Sequence, residues 1–354
     1  MKRRDFLHHS VLASTAAFTP AFLQANGSHQ MASTRDGKIL IVLQLSGGND
    51  GLNTIVPYAN DVYYRQRPLL GIPATEVLPL NDEQGLHPAL APLRKLYDAG
   101  ELSIINSVGY PNPDRSHFRS MDIWQTGSGA EQTWSTGWLG RYLDSACTGK
   151  PAYHALEVDD GLSLALKGAT RNGFAMSDPR RLQQAIRRRQ LRQLQPPAQP
   201  ASENLGYLYK TLTATTDAAE YLFTQSRTHQ SNTTWPTNPF ARDLKQIAEL
   251  ITADTATQIY YASLGGFDTH AGQKNRQQRL LKIYAESVAA LVTDLKANGL
   301  FNDVVILTFS EFGRRLKQNA SGGTDHGTAN NVFLMSGALR KAGFFNPVDK
   351  VVVQ

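Results

Sequence analysis

A single cysteine, Cys147, stands in 354 residues, which excludes an intramolecular disulfide and any thiolate-built metal site. Stability must then come from a packed core, and any metal must be held by oxygen and nitrogen. No segment beyond the N-terminus approaches the ~18 consecutive apolar residues of a membrane helix, so no stable membrane span is expected in the mature chain. Charge of one sign is also scarce. With 36 basic and 30 acidic residues the formal balance is +6, too mild to imply nucleic acid as a partner. There is no internal repeat, no heptad run, no Walker loop and no dinucleotide fingerprint. What is present is 41% apolar and 19% charged residues, an ordinary globular composition with ample material for a core.

The first 25 residues, MKRRDFLHHSVLASTAAFTPAFLQA, place Lys2, Arg3 and Arg4 ahead of a short, weakly apolar stretch and small residues around Ala25. This is the layout of an export signal, and Arg3-Arg4 followed by Asp5, Phe6 and Leu7 resembles a bacterial twin-arginine signal, read by the Tat export machinery. Three positive charges and one negative lie in it, so cleavage lowers +6 to +4. A periplasmic or secreted protein is expected, with a polar linker at 26–37 and one domain over 38–354.

Ile39 to Leu45 (ILIVLQL) is a near-continuous apolar run closed by Ser46-Gly47-Gly48, the pattern of a central strand buried on both faces. Residues 88–100 have helical periodicity with Pro88 in the first turn and Gly100 as cap, and LSIINSVG after them reads as a second strand. Strand, helix, strand in succession argues for a parallel sheet with crossover helices. Residues 110–140 read as a long functional loop with a short helix over 118–124. From about 150 to 237 the pattern changes to an expected helical insertion, whose Arg187, Arg188, Arg189 and Arg192 read as a solvated helix face. A helix at 239–252, a strand at 259–264, a long amphipathic helix at 274–298 and the strand Val304 to Phe309 (VVILTF) follow. The run VVVQ at 351–354 reads as the start of a further strand, as if the chain were truncated there.

Polar clusters follow each of these strands: Asn49 and Asp50, then Ser116 and His117, then Asp268 and His270, then Glu311, with Asp325 and His326 on the next loop. In an open α/β sheet the carboxyl ends of parallel strands share one side, so these clusters can converge. Two histidines with several carboxylates suit Zn²⁺ or another divalent cation that accepts imidazole, and an all-oxygen subset suits Ca²⁺ or Mg²⁺. In Asp268-Thr269-His270 an extended backbone sends the outer two side chains the same way, toward one ion or into a loop hydrogen-bond device. Glu311 is either a ligand or a helix-start carboxylate paired with Arg314 or Arg315. Ser116 is the candidate nucleophile, or the cap of the helix that follows.

The motifs LSGGNDGLNTIVPY, YPNPDRSHFRSMDIWQTG, GWLGRYLD, GGFDTHAGQ and TFSEFGRRLKQNASGGTDHGTA, together with the twin-arginine signal, resemble an uncharacterised domain-of-unknown-function family of exported bacterial proteins placed in the alkaline phosphatase and sulfatase superfamily. The resemblance implies a three-layer α/β/α sandwich with a mostly parallel central sheet and a metal-dependent ester-hydrolase site at the strand ends. It implies Asp50, Asp268, His270, Glu311, Asp325 and His326 as metal residues and Ser116 as nucleophile. Glu311-Phe312 stands where the superfamily has Asp-His, and Cys147 is not in a sulfatase cysteine element. The expected function is hydrolysis of phosphate or sulfate esters, with Arg314 or Arg119 offsetting charge and His117 or His326 protonating the leaving group. The partner class is a small anionic ester or a sulfated or phosphorylated glycan. The alternative is a catalytically silent member that binds a surface glycan or a partner protein.

Overall fold

The computed structural model describes residues 37–187 and 203–346, the side chains of 203–212 excepted. The export signal, nearly all of the linker, Arg188, Arg189 and Arg192, and the 351–354 run lie outside the described residues. In chain order the strands are β1 (Ile39–Leu45), β2 (Ile55–Val56), β3 (Leu78–Pro79), β4 (Gly85–Leu86), β5 (Leu102–Val108), β6 (Ala155–Glu157), β7 (Phe174–Ala175), β8 (Ile259–Leu264), β9 (Val304–Phe309), β10 (Arg314–Gln318), β11 (Thr324–His326), β12 (Asn330–Met335) and β13 (Gly343–Phe344). The helices are α1 (Asp61–Gln66), α2 (Ala91–Asp98), α3 (His117–Thr126), α4 (Trp138–Ala146), α5 (Pro179–Ile186), α6 (Glu203–Gln225), α7 (Pro239–Thr252) and α8 (Gln273–Ala297).

Eight strands form the central sheet in the order β13-β5-β12-β9-β1-β8-β6-β7. Every pairing in it is parallel except the two made by β12. The central place of β1 follows from its sequence: all seven residues are buried, because both faces of the sheet are covered. Ile39, Ile41, Leu43 and Leu45 enter a core shared with Leu93 of α2, Leu244 and Ile247 of α7, and Leu281, Val288 and Leu291 of α8. The alternate residues Leu40 and Val42 enter a second core with Leu139 and Leu143 of α4. The period-two side-chain alternation thus divides one strand between two helical layers, and the three-layer α/β/α architecture is the result. Among the described residues no helix is long and apolar enough to cross a membrane.

The stretch expected as a helical insertion, 150–237, opens differently. It contributes the short strands β6 and β7 to the sheet edge before α5 and α6 begin. These strands hold two and three residues, too few for a period to register in the sequence. The last residue of β6 carries a stability prediction. Glu157 is buried, its Oε2 accepts from Ser163 N at 2.6 Å, and desolvation pushes its pKa up to about 7 from an ordinary 4.5. The folded protein therefore holds this proton more tightly than the unfolded chain, and the stability it contributes is full below about pH 4.5 and lost as pH rises through about 7. Glu157→Gln is expected to leave urea stability little changed near pH 4.5 and to raise it by about 3 kcal/mol near pH 8. Equal effects at both pH values would refute the assignment.

Candidate metal centre

Because β1, β5, β8 and β9 run the same way, the loops that follow them lie at one edge of the sheet. Strand β12 runs against them, so its amino end, just after His326 and Gly327, reaches that same edge. Two glycines let the β1 loop sit close against the others. Gly47 has φ +115°, and a Cβ there would collide with the backbone of Asp268; Gly48 has φ +72°, and a Cβ would collide with the Phe312 ring. The glycines of this loop thus serve close approach as well as the turn.

The chemistry gathers around one oxygen. Asp268 Oδ1 lies 3.3 Å from His117 Nε2, 3.0 Å from His270 Nε2 and 3.3 Å from His326 Nε2. His117, Asp268 and His326 form the one group of three such side chains, among the described residues, whose ligand atoms all lie within 4.8 Å of one another. His117 Nε2 is shielded from solvent and makes no hydrogen bond, since Asp268 stands within ion-pair distance but off hydrogen-bond geometry. His270 Nε2 lies 2.8 Å from His326 Nε2.

The outward nitrogens explain why these atoms face inward. His117 Nδ1 is 3.0 Å from Glu311 Oε1, and His326 Nδ1 is 2.7 Å from the carbonyl of Arg115. Each contact selects the tautomer with its proton on Nδ1 and leaves the Nε2 lone pair directed at the cluster, as in ligating histidines oriented from behind. The hydrogen bond to Glu311 also pushes the His117 pKa up, against desolvation. Phe312 packs against both imidazoles, with ring centroids 4.8 Å from His117 and 4.7 Å from His326. Desolvation would raise the Asp268 carboxyl, but the hydrogen bond and charge of Arg314, with the neighbouring His326 and His117 adding to them, outweigh it and hold the group well below the usual carboxylate range. Asp268 is therefore an anion, and its side chain is still 47% exposed.

The sequence-derived site residues separate into several roles. Asp268, His270 and His326, expected as metal residues, lie together, and His117, expected as an acid catalyst, stands with them. Glu311 is fully buried behind His117, where it also accepts from Gly47 N at 2.8 Å, so it faces the outer nitrogen of that ring and not the cluster. Asp325 sits outside the cluster, 3.7 Å from His270 Nδ1 and 3.9 Å from Arg315 Nη1. Adjacent residues of a strand face opposite ways, so Asp325 and His326 on β11 cannot both point inward. Asp50 is removed from the site: it is buried in a 2.5 Å ion pair with Arg67 and accepts from Gln273. Arg314, expected to offset transition-state charge, is committed elsewhere. Its guanidinium donates to the carbonyls of Gly47, Gly48, Phe267 and Thr324 and to Asp268 at 2.8 Å, which makes it the pin of the loops and of the carboxylate. Arg119 likewise holds the carbonyls of Ala130 and Gln132. Ser116 is exposed at the start of α3, and its hydroxyl makes no capping bond.

Two imidazoles and one carboxylate, His117, His326 and Asp268, with His270 beside them, form a nitrogen-rich donor set that fits Zn²⁺ or a similar borderline cation. It does not fit Ca²⁺ or Mg²⁺, which take oxygen ligands. The orphaned, shielded Nε2 of His117 is the group that most needs such a partner.

A family model described as "Protein of unknown function (DUF1501)" matches residues 103–351. No curated protein matches the sequence. Among solved structures, the chain is similar to the C-terminal periplasmic domain of EcEptC from Escherichia coli in complex with Zn, at 9% identity over 86% of this chain and 74% of that one, with a TM-score of 0.39. It is similar to the lipoteichoic acid synthase LtaP from Listeria monocytogenes at 9% identity over 87% and 67%, TM-score 0.38. A third likeness is to a protein in the alkaline phosphatase superfamily from Vibrio parahaemolyticus, at 11% identity over 97% and 71%, TM-score 0.39. At these scores no residue is transferred from one protein to another.

Proposed function

Since the chain belongs to the DUF1501 family of proteins of unknown function, its activity has to be read from its own site, and we propose that it is a metal-dependent hydrolase of phosphate or sulfate esters acting in the periplasm or outside the cell. The observation that carries this reading is the meeting of His117, His270 and His326 Nε2 at Asp268 Oδ1, with two of the three rings oriented from behind. His117, Asp268 and His326 would hold the ion. Three protein ligands at a partly exposed carboxylate suit a catalytic site, which keeps a position open. A bound divalent cation supplies Lewis acidity toward a non-bridging ester oxygen.

The chain's own residues do the rest. Ser116 directly precedes His117, is exposed and is spared from capping, so its Oγ is assigned to attack the phosphorus or sulfur centre. The bond from phosphorus or sulfur to the alcohol oxygen breaks, the alcohol leaves with a proton, and the Ser116 hydroxyl proton passes to solvent; water then cleaves the ester on Ser116, releasing phosphate or sulfate and restoring the hydroxyl. With His117 and His326 taken up as ligands, the alcohol's proton falls to His270, half exposed and with its Nδ1 beyond hydrogen-bond range of Asp325 at 3.7 Å. Glu311, Arg314 and Phe312 hold these groups in place.

Metal analysis of the folded, exported protein, joined to turnover of 4-nitrophenyl phosphate and 4-nitrophenyl sulfate, tests the reading. About one zinc per chain and measurable turnover of one ester are expected. The competing reading, a silent member that binds a glycan or partner protein, is favoured by the withdrawal of Asp50 from the site; absent metal and absent turnover would select it. His270→Gln should retain zinc and cost about 10²-fold on methyl esters while sparing 4-nitrophenyl esters, whose leaving group needs no proton. Equal losses on both would remove His270 as the acid.

A further inference from the structure

A cleft of about 470 Å³ shares a wall with the metal centre. Arg115 lines it and its carbonyl holds His326, and Gly327 lines it one residue beyond His326. Its charge is one-sided. Arg115, Arg314 and Arg315 contribute to the lining, and no aspartate or glutamate does. Arg314 is spent on carbonyls and Asp268. The other two guanidiniums are not: Arg115 makes no ion pair or side-chain hydrogen bond among the described residues, and the carboxylate nearest Arg315 is Asp325 at 3.9 Å. Two weakly engaged arginines facing a concave surface without acids favour an anion.

The rest of the lining combines amides and hydroxyls with aliphatic groups. Asn106 and Asn331 face each other, with Asn331 Nδ2 donating to Asn106 Oδ1 at 2.8 Å and Asn331 Oδ1 left without a partner. The backbone here departs from a regular strand. Register between β5 and β12 shifts between Asn330 and Val332, and Ser107 holds φ +56°, a left-handed conformation that is costly for a residue other than glycine. Strain and a bulge where both asparagines meet the cleft mark a surface shaped for contact instead of for packing. Leu52, Ile55 and Leu316 supply the aliphatic part.

We propose that this cleft binds an anionic polyol, its charged group between Arg115 and Arg315 and its hydroxyls on the amides. As the second anchor of the substrate, it rests on the hydrolase reading; as a binding site, it rests on the cleft alone.

Calorimetric titration with glucose 6-phosphate, glucose and inorganic phosphate tests it, on chelator-treated protein so that no metal competes for the anion. Glucose 6-phosphate should bind, glucose should not, and phosphate should bind at least about tenfold more weakly than the sugar phosphate. Arg115→Gln and Arg315→Gln keep the backbone contacts, lie at exposed positions, and should each cost about tenfold, with the double variant losing measurable binding. Zinc content and ester turnover of the untreated protein, measured alongside, separate failure of the cleft from failure of the hydrolase reading. Any of three results would overturn the proposal: no binding of glucose 6-phosphate, equal binding of glucose or phosphate, or unchanged affinity in the double arginine variant.

Discussion

Alanine at His326 is expected to abolish stoichiometric zinc and ester turnover together, whereas alanine at Ser116 should cut turnover by about a thousandfold or more with zinc still bound. The two outcomes differ because the two residues meet different partners. His326 presents Nε2 to Asp268 at 3.3 Å with its Nδ1 anchored on Arg115, so its loss removes one of three converging ligand atoms. Ser116 touches none of them and contributes only its hydroxyl. Between these extremes lies Glu311→Gln. It keeps an oxygen for Gly47 N but removes the charge behind His117, and a loss of about 10- to 100-fold in zinc affinity is expected. Equilibrium dialysis against zinc, with turnover measured on the same samples, reads all three. Full zinc occupancy in His326→Ala, or full turnover in Ser116→Ala, would contradict the corresponding role.

The second large effect concerns stability. Arg67→Met should destabilise the protein by about 3–5 kcal/mol, because it strands a buried carboxylate. Asp50 and Arg67 are both fully buried, paired at 2.5 Å. Arg67 also donates to Asn53 Oδ1 at 2.7 Å and to the carbonyls of Leu316 and Arg315 at 2.8 Å, tying the 61–67 segment to β10. With the arginine gone, Asp50 retains only the Gln273 amide, in a place water does not reach. The double variant Asp50→Asn/Arg67→Met removes the charge as well and should recover about 1–3 kcal/mol of the loss. Urea unfolding of the singles and the double decides it, and strict additivity would show that the pair is not coupled. The network also reaches the candidate metal centre, since Gln273 Oε1 accepts from Thr324 Oγ1 at 2.6 Å, two residues before His326.

Asp50 shows where reading the sequence falls short. It follows β1 at the edge where the polar loops gather, but Arg67 lies in YYRQRP with nothing to mark it as a buried partner. Gln273 and Gln277, on the first two turns of α8, were equally silent. Both are buried around Asn49 and Asp50. The antiparallel strand β12 also escaped notice, although it explains how the Asp325-His326 loop reaches the same edge as the parallel strand ends. By contrast, Asp268-x-His270 was legible because extended backbone alternates, and both side chains do reach the same oxygen environment.

The hydrophobic periods of 39–45, 239–252, 259–264, 274–298 and 304–309 by themselves determined the layered α/β core, the parallel direction of its principal strands and the edge at which polar loops gather. These follow from local burial patterns, which the linear order of residues carries. What only the tertiary structure decided is the division of labour among the gathered side chains: which histidine nitrogen faces inward, that Glu311 stands behind His117, that Arg314 pins loops, and that Asp50 is neutralised by Arg67. The physical reason is that a side chain's role depends on which donor or acceptor it meets, and those partners stand up to 267 residues away along the chain, as Arg314 does from Gly47.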